Sequence, residues 1–144
     1  MTGVGRELIS QLIPHQGSMS LLERVVRWDD SSIDAVAVSH RGAEHPLRAN
    51  GQLRAVHLCE YGAQAAALHG GLVARAAGGT AAPGYLVSLR DVILACGRID
   101  DLPGELAIHA ELLLQDSGSW QYLFAASHDG AKLATGRLAI IRRR

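Results

Sequence analysis

Residues 52–77 decide the fold, and they read QLRAVHLCEYGAQAAALHGGLVARAA. This stretch contains no proline and consists mostly of alanine, leucine and valine, a composition that favours helix. Its apolar residues cover most of the circumference of such a helix, which is typical of a helix buried inside a domain. We therefore predict one long buried helix from Gln52 to Ala77, with Asn50 as its N-cap and Gly78 at its end.

A line of polar residues crosses the predicted helix. Steps of three and four residues place these side chains on one face: Arg54, His57, Glu60 or Tyr61, and Gln64. A carboxylate on an apolar helix is costly unless it is paired, hydrogen-bonded or protonated. Glu60 is therefore either a functional carboxyl group or a structural one that bonds Arg54 or His57.

The composition of the 144 residues predicts one globular domain spanning 1–144, because 48% of them are hydrophobic. The 14 basic and 14 acidic residues give zero formal net charge, which argues against bulk nucleic-acid binding. The polar residues of the helix argue against a membrane span, and the N-terminus does not resemble a signal peptide. Cys59 and Cys96 lack metal-ligand spacing and suit a reducing compartment, so we expect a cytoplasmic protein without a metal.

The rest of the chain predicts a short helix and about six strands. Residues 1–5 are expected to be frayed, and Pro14 ends the short helix, which covers 6–13. Alternating or apolar runs bounded by Gly, Pro, Asp or Ser predict strands at 21–28, 31–39, 85–96, 104–115, 120–128 and 132–142. This order predicts an α+β fold in which a curled, roughly six-stranded antiparallel sheet wraps one long buried helix.

Five short motifs occur in an informative order along the chain: LIPH at 12–15, LLERVV at 21–26, HPL at 45–47, EYGAQA at 60–65 and GYLVSLR at 84–90. In this order they resemble the hot-dog-fold 3-hydroxyacyl-[acyl carrier protein] dehydratases, whose helix carries a similar acid-x-x-x-Gln motif. The similarity is closest to the dehydratase-like subgroup found with aryl-polyene biosynthesis genes. It covers nearly the whole chain.

The resemblance implies dehydration of 3-hydroxyacyl thioesters to trans-2-enoyl thioesters in fatty-acid or polyene-type synthesis. It implies that His45 is the base and Glu60 the acid. An imidazole titrates near neutral pH, and burial in an apolar helix is expected to raise the pKa of Glu60 and keep its proton available. Backbone N–H groups near Gly51, at the predicted helix start, are expected to stabilise the thioester oxygen.

The remaining polar residues are expected to support this chemistry. Gln64 is predicted to bond backbone groups or Glu60, His57 to orient Glu60 or the loop before the helix, and His15 to bond nearby backbone groups. We expect no metal and no organic cofactor. The expected partners are an acyl carrier protein or coenzyme A thioester and a second subunit. That subunit is either an identical chain or a dehydratase paralogue, and a higher oligomer is compatible with both.

Two alternatives remain open from the sequence. The first is a thioester hydrolase on the same fold, since a fold does not determine the reaction. The second is a non-catalytic partner subunit of an active paralogue. Its motivation is the segment Glu44–Arg48, which reads EHPLR where the fatty-acid enzymes carry a glycine-bounded His-Phe-Pro-Gly. A separate alternative for His45 is that it is an ordinary surface-loop histidine.

Overall fold

A computed structural model describes residues 4–80 and 84–142, and within them one long helix packs on a seven-stranded sheet. The helices are α1 (Arg6–Leu12) and α2 (Leu58–Ala76). The strands are β1 (Val4–Gly5), β2 (Arg24–Trp28), β3 (Ser32–Ala37), β4 (Gly84–Leu94), β5 (Leu106–Asp116), β6 (Ser119–His128) and β7 (Ala131–Arg142). Their order in the sheet is β1-β2-β3-β5-β6-β7-β4, and every neighbouring pair is antiparallel. This is the α+β arrangement that the sequence predicts.

The N-terminal part differs from the prediction. Val4 and Gly5 are not frayed, because they pair with Val25 and Arg24 and add a seventh strand at one edge of the sheet. Residues 1–3, which share that prediction, lie outside the described part of the chain. The predicted strand at 21–28 begins only at Arg24, because the preceding segment turns inward to contact α2.

The long helix begins later than the sequence predicts. A 3₁₀ turn at Ala55–His57 precedes α2, which starts at Leu58 rather than Gln52. The prediction that Asn50 caps the helix is wrong, because Asn50 and Gly51 form a turn with positive φ angles of 52° and 72°. Gly51 therefore lies in the loop before the 3₁₀ turn and not at the helix start.

Small residues let α2 lie close to the sheet. A Cβ atom on Gly62 would lie 2.4 Å from Cγ of Phe124 in β6, so only glycine fits at this contact. Ala65 and Ala66 are buried on the same helix. The close approach carries the first turn of α2, which holds Glu60, onto the sheet.

Strand β4 is the most exposed part of the sheet. It pairs only with β7 and forms the edge opposite β1. Seven of its large apolar residues are 37–67% exposed, and they are Tyr85, Leu86, Val87, Leu89, Val92, Ile93 and Leu94. Within residues 4–80 and 84–142, no helix is both long and apolar enough to cross a membrane.

Candidate active site

His45 lies in the loop between β3 and α2 and is hydrogen-bonded at both of its ring nitrogens. His45 is only 7% exposed. The backbone N–H of Leu47 donates to its Nδ1 at 3.1 Å, and its Nε2 lies 3.1 Å from the hydroxyl of Tyr61. Because Nδ1 accepts a hydrogen bond, the proton of neutral His45 is on Nε2 and is donated to Tyr61.

The hydrogen bonds continue from Tyr61 to Ser39 and then to the Leu21 carbonyl, with each group donating to the next. The Ser39 hydroxyl donates to the carbonyl of Leu21 at 2.9 Å and lies 2.8 Å from the Tyr61 hydroxyl. Since the single hydroxyl proton of Ser39 is donated to the Leu21 carbonyl, the Tyr61 hydroxyl must donate to the Ser39 oxygen. The chain of bonds therefore runs from His45 through Tyr61 and Ser39 to the Leu21 carbonyl.

Burial sets the protonation of the His45 and Tyr61 side chains in this series of hydrogen bonds. Burial lowers the pKa of His45, and the neighbouring His57 and Arg48 lower it further. Burial also raises the pKa of Tyr61 to about 12, so its hydroxyl keeps its proton. His45 is therefore neutral near pH 7, and both of its ring nitrogens are hydrogen-bonded to groups of the same protein, Leu47 and Tyr61.

Arg48 ties together the loop that carries His45. Its guanidinium donates to three backbone carbonyls: Gly42 at 3.1 Å, Gly51 at 2.8 Å and His40 at 3.4 Å. Three such bonds from one planar side chain hold the loop in a single shape. The Gly51 carbonyl is one of those acceptors, which fixes the turn at Asn50 and Gly51.

Glu60 lies in the first turn of α2 and has two partners. His15 donates from Nε2 to Oε1 at 3.0 Å, and Gln64 donates from its amide to the same oxygen at 3.2 Å. The expectation that a structural Glu60 would bond Arg54 or His57 is wrong, as is the expectation that His15 bonds only nearby backbone. The turn after α1 packs on the start of α2 and brings His15 to Glu60.

The pKa of Glu60 moves opposite to the prediction. The hydrogen bond from His15 lowers this pKa most, and the bond from Gln64 lowers it further. Burial acts in the opposite direction but is outweighed. The prediction of a raised pKa is wrong because it considered burial on an apolar helix without the two donors.

Gln64 connects Glu60 to the segment before β2. It is fully buried, its amide donates to the Met19 carbonyl at 2.7 Å, and its Oε1 accepts the backbone N–H of Leu21 at 2.9 Å. The Leu21 carbonyl accepts the bond from Ser39, so the two networks meet at the backbone of Leu21. Gln64 thus bonds both backbone groups and Glu60, and its part in the chemistry stays a prediction.

His45 and Glu60 are brought near the same segment without touching each other. In the described residues no hydrogen bond or ion pair joins the two side chains, and none joins His57 to Glu60. A groove of about 190 Å³ runs beside His45. Its lining consists of Arg6, Ser18, Ser20, Ser39, Gly42, Glu44 and His45.

Sequence reasoning missed three residues of this site: His15, Ser39 and Tyr61. His15 lies in the LIPH motif and Tyr61 in the polar line of the helix, so both carried a signal. Ser39 carried none. No set of three His, Cys, Asp or Glu side chains among residues 4–80 and 84–142 is arranged to hold a metal ion.

A family model described as ApeP-like, ApeP dehydratase, matches residues 7–144. The chain belongs to the ApeP-like dehydratase family. A solved structure of the dehydratase heterocomplex ApeI:P from Xenorhabdus doucetiae is 27% identical in sequence, with a TM-score of 0.84. The similarity covers 94% of this chain and 91% of that chain. This match supports the predicted hot-dog fold, and membership in the family supports a dehydratase kind of activity.

Other solved structures share the fold of this ApeP-like chain at lower identity. Zebra fish thioesterase superfamily member 2 is 15% identical with a TM-score of 0.67, covering 95% of this chain and 94% of that one. The E. coli PaaI protein from the phenylacetic acid degradation operon is 12% identical with a TM-score of 0.60, covering 82% and 81%. None of the curated protein sequences matches the chain.

Proposed function

We propose that this ApeP-like chain dehydrates 3-hydroxyacyl thioesters, held by an acyl carrier protein or coenzyme A, to trans-2-enoyl thioesters. His45 takes the proton from the carbon next to the thioester carbonyl. Glu60 gives a proton to the departing hydroxyl as the C–O bond breaks, so that water and the enoyl thioester form. Backbone N–H groups near Gly51, in the loop before the 3₁₀ turn rather than at a helix start, stabilise the thioester oxygen while negative charge develops there.

The observation that carries the proposal is the one-sided bonding of Glu60. Both donors reach Oε1, and no hydrogen bond or ion pair within the described chain reaches Oε2. The side chain is 29% exposed, so it is partly shielded and still accessible. A carboxyl group anchored at one oxygen is well positioned to exchange a proton through the other.

The lowered pKa of Glu60 adds a requirement. Near neutral pH the carboxyl group is ionised in the unliganded chain, and it must take up a proton before it can act as the acid. An acyl chain bound over the site would exclude water and favour that uptake, because desolvation disfavours the charged form. The proposal therefore includes proton uptake when the thioester binds.

A second candidate function is that of a partner subunit for an active dehydratase-like chain. It is favoured by the state of His45, whose two nitrogens are both engaged in hydrogen bonds within the chain. A base needs a free lone pair, so one of these bonds must break before His45 can accept a proton. In the partner-subunit role, both hydrogen bonds of His45 stay in place.

The exposed edge strand supports association in either case. Strand β4 leaves one edge unpaired within the sheet and exposes a row of apolar side chains. Such an edge is suited to pairing with a strand of another chain. The partner is an identical chain or a related dehydratase-like chain, and the ApeI:P structure is a heterocomplex of dehydratases.

The test is to incubate the purified chain, alone and with a related dehydratase-like chain, with 3-hydroxyacyl thioesters of carrier protein and of coenzyme A. Enoyl thioester formed by the chain alone supports dehydration, and activity only with the second chain supports the partner-subunit role. Release of free thiol without enoyl product would instead indicate a thioesterase.

Glu60→Gln is the variant that tests the acid. It keeps the size of the side chain and a carbonyl acceptor for His15, so stability should change little, while dehydration should fall by roughly 10²–10⁴-fold. The matched control is Glu7→Gln, on the exposed side of α1. Activity of Glu60→Gln within about tenfold of wild type would show that Glu60 is not the acid.

A further inference from the structure

We propose that His15 is a positioning residue for this dehydration: its Nε2–H holds Oε1 of Glu60, so that Oε2 faces the substrate and exchanges the proton. The inference rests on the proposed role of Glu60 and extends it. In this proposal the histidine of the LIPH motif acts on the substrate only through Glu60 and does not itself touch it.

The contact between the two side chains is direct and partly shielded. His15 lies three residues after the end of α1 and directly follows Pro14. Nε2 of His15 lies 3.0 Å from Oε1 of Glu60. The two side chains are 28% and 29% exposed, so solvent screens their interaction less than it screens a surface pair. This length is that of an ordinary hydrogen bond from a ring nitrogen to a carboxyl oxygen.

The surroundings of His15 select its tautomer. Its Nδ1 is buried and has no hydrogen-bond partner in the described part of the chain. A tautomer with its proton on Nε2 uses that N–H on Glu60 and leaves only a lone pair at Nδ1. A proton on Nδ1 would instead be a buried donor without an acceptor, which is costly. His15 thus donates to Glu60 from Nε2.

Gln64 makes the arrangement rigid from the other side. Its amide also donates to Oε1, while its own two ends are held by Met19 and Leu21. Two donors on one oxygen orient the carboxyl plane and leave the other oxygen unbonded. Removing the donor from His15 should therefore both loosen the carboxyl group and change how readily it gives up its proton.

The direction of that change follows from the hydrogen bonding. Donors to a carboxylate favour its charged form, and His15 is the larger of the two influences that lower the pKa of Glu60. Without the His15 donor this pKa rises. Since the reaction needs protonated Glu60, the pH at which activity declines on the alkaline side should rise with it.

Two variants separate the hydrogen bond from mere packing. His15→Leu removes the donor, and His15→Gln supplies an amide N–H in its place. We expect His15→Leu to lower kcat by roughly tenfold or more, a part of what acid–base catalysis typically contributes, with KM little changed. The alkaline limb of its pH profile should move to higher pH, and His15→Gln should restore both quantities toward wild type.

The control is another histidine–carboxylate pair of the same chain. His109 in β5 lies 2.8 Å from Asp34 in β3, and the two side chains are 34% and 30% exposed. His109→Leu should leave kcat and the pH profile unchanged. Equal impairment of His15→Leu and His15→Gln, without movement of the alkaline limb, would overturn the inference in favour of a purely structural role.

A second measurement needs no turnover. The ¹³C NMR titration of the Glu60 carboxyl group should give a higher midpoint in His15→Leu than in wild type, with a return toward wild type in His15→Gln. An unchanged midpoint in His15→Leu overturns the inference whatever the activity of the chain. A shifted midpoint in a chain that never dehydrates a thioester supports the hydrogen bond and contradicts only the proposed function.

Discussion

At the scale of single residues, the two candidate catalytic side chains are held in different ways. His45 is bonded at both ring nitrogens, by Leu47 and by Tyr61. Glu60 is bonded at one oxygen and leaves the other without a partner in the described chain. Glu60 can therefore meet a substrate without breaking a hydrogen bond, although it must first take up a proton, whereas His45 must exchange a bond within the protein for one to the substrate.

His57 offers a test of which histidine removes the proton. It lies in the 3₁₀ turn before α2, its charge acts on His45, and it makes no hydrogen bond to Glu60 in the described residues. We expect His57→Asn to weaken turnover less than His45→Ala, which should remove most of the roughly 10²–10⁴-fold contribution of a general base. Steady-state rates at matched protein stability measure this, and the reverse order of effects would make His57 the base.

At the scale of elements, helix α2 positions the site through its contact with the sheet. Its first turn carries Glu60 and Tyr61, and one residue later Gly62 lies directly against Phe124. Any shift of the helix away from β6 would displace the two site residues beside Gly62. The spacing between α2 and the sheet is therefore part of the geometry of the site.

Gly62→Ala tests this contact. The new methyl group would meet three atoms of Phe124 at 2.4–2.9 Å, so we expect a loss of about 1–3 kcal/mol in the free energy of unfolding, typical of overpacking. Gly70→Ala is the matched control, because no atom lies within 4 Å of its added Cβ. That variant should gain about 0.5–1 kcal/mol from helix propensity. Urea denaturation measures both, and equal effects would contradict the close-contact explanation.

At the scale of the whole molecule, the apolar surface is concentrated at one edge of the sheet. Strand β4 has one edge unpaired within the sheet and side chains exposed on both faces, whereas α2 packs on β3, β5, β6 and β7. A long, exposed apolar edge strand is a liability in an isolated chain. Association through β4, as proposed above, would remove it and would bury surface that the helix does not reach.

Ile93→Lys tests this association, since Ile93 is the most exposed of the large apolar residues at 67%. A charge at this position should weaken association, with itself or with a related chain, by at least about tenfold in Kd, because a buried unpaired charge is costly. Val26→Lys in β2, 44% exposed, is the control and should associate normally. Sedimentation velocity measures both, and full association of Ile93→Lys would exclude β4 as the interface.

A mixing experiment asks whether His45 of one subunit works with Glu60 of the other. His45→Ala and Glu60→Gln should each be inactive as homodimers. After unfolding, equal mixing and refolding, half of the dimers are mixed, and each has one intact site of two. If each site combines His45 of one subunit with Glu60 of the other, roughly a quarter of wild-type activity should therefore return. No recovery, with mixed dimers confirmed by mass, would mean that both residues act within one chain.

Much of the architecture follows from local patterns. The apolar, proline-free run at 58–76 can only be a buried helix, and the strands appear near the places where alternation and turn residues predict them. The family resemblance followed from short motifs in order. Local periodicity also explains the error at the helix start. Residues 52–57 have helical composition, but the backbones of Leu53 and Ala55 are hydrogen-bonded to the distant segment 97–100.

The protonation of the site was decided by tertiary structure alone. Glu60 lies on an apolar helix, which by itself predicts a raised pKa, yet a donor from the turn at His15 lowers it. Likewise, the bond from His45 to Tyr61 joins a loop to the helix interior. Sequence periodicity reports which face of a helix is buried, whereas a pKa depends on donors within about 3 Å, and in this chain those come from segments far apart in sequence.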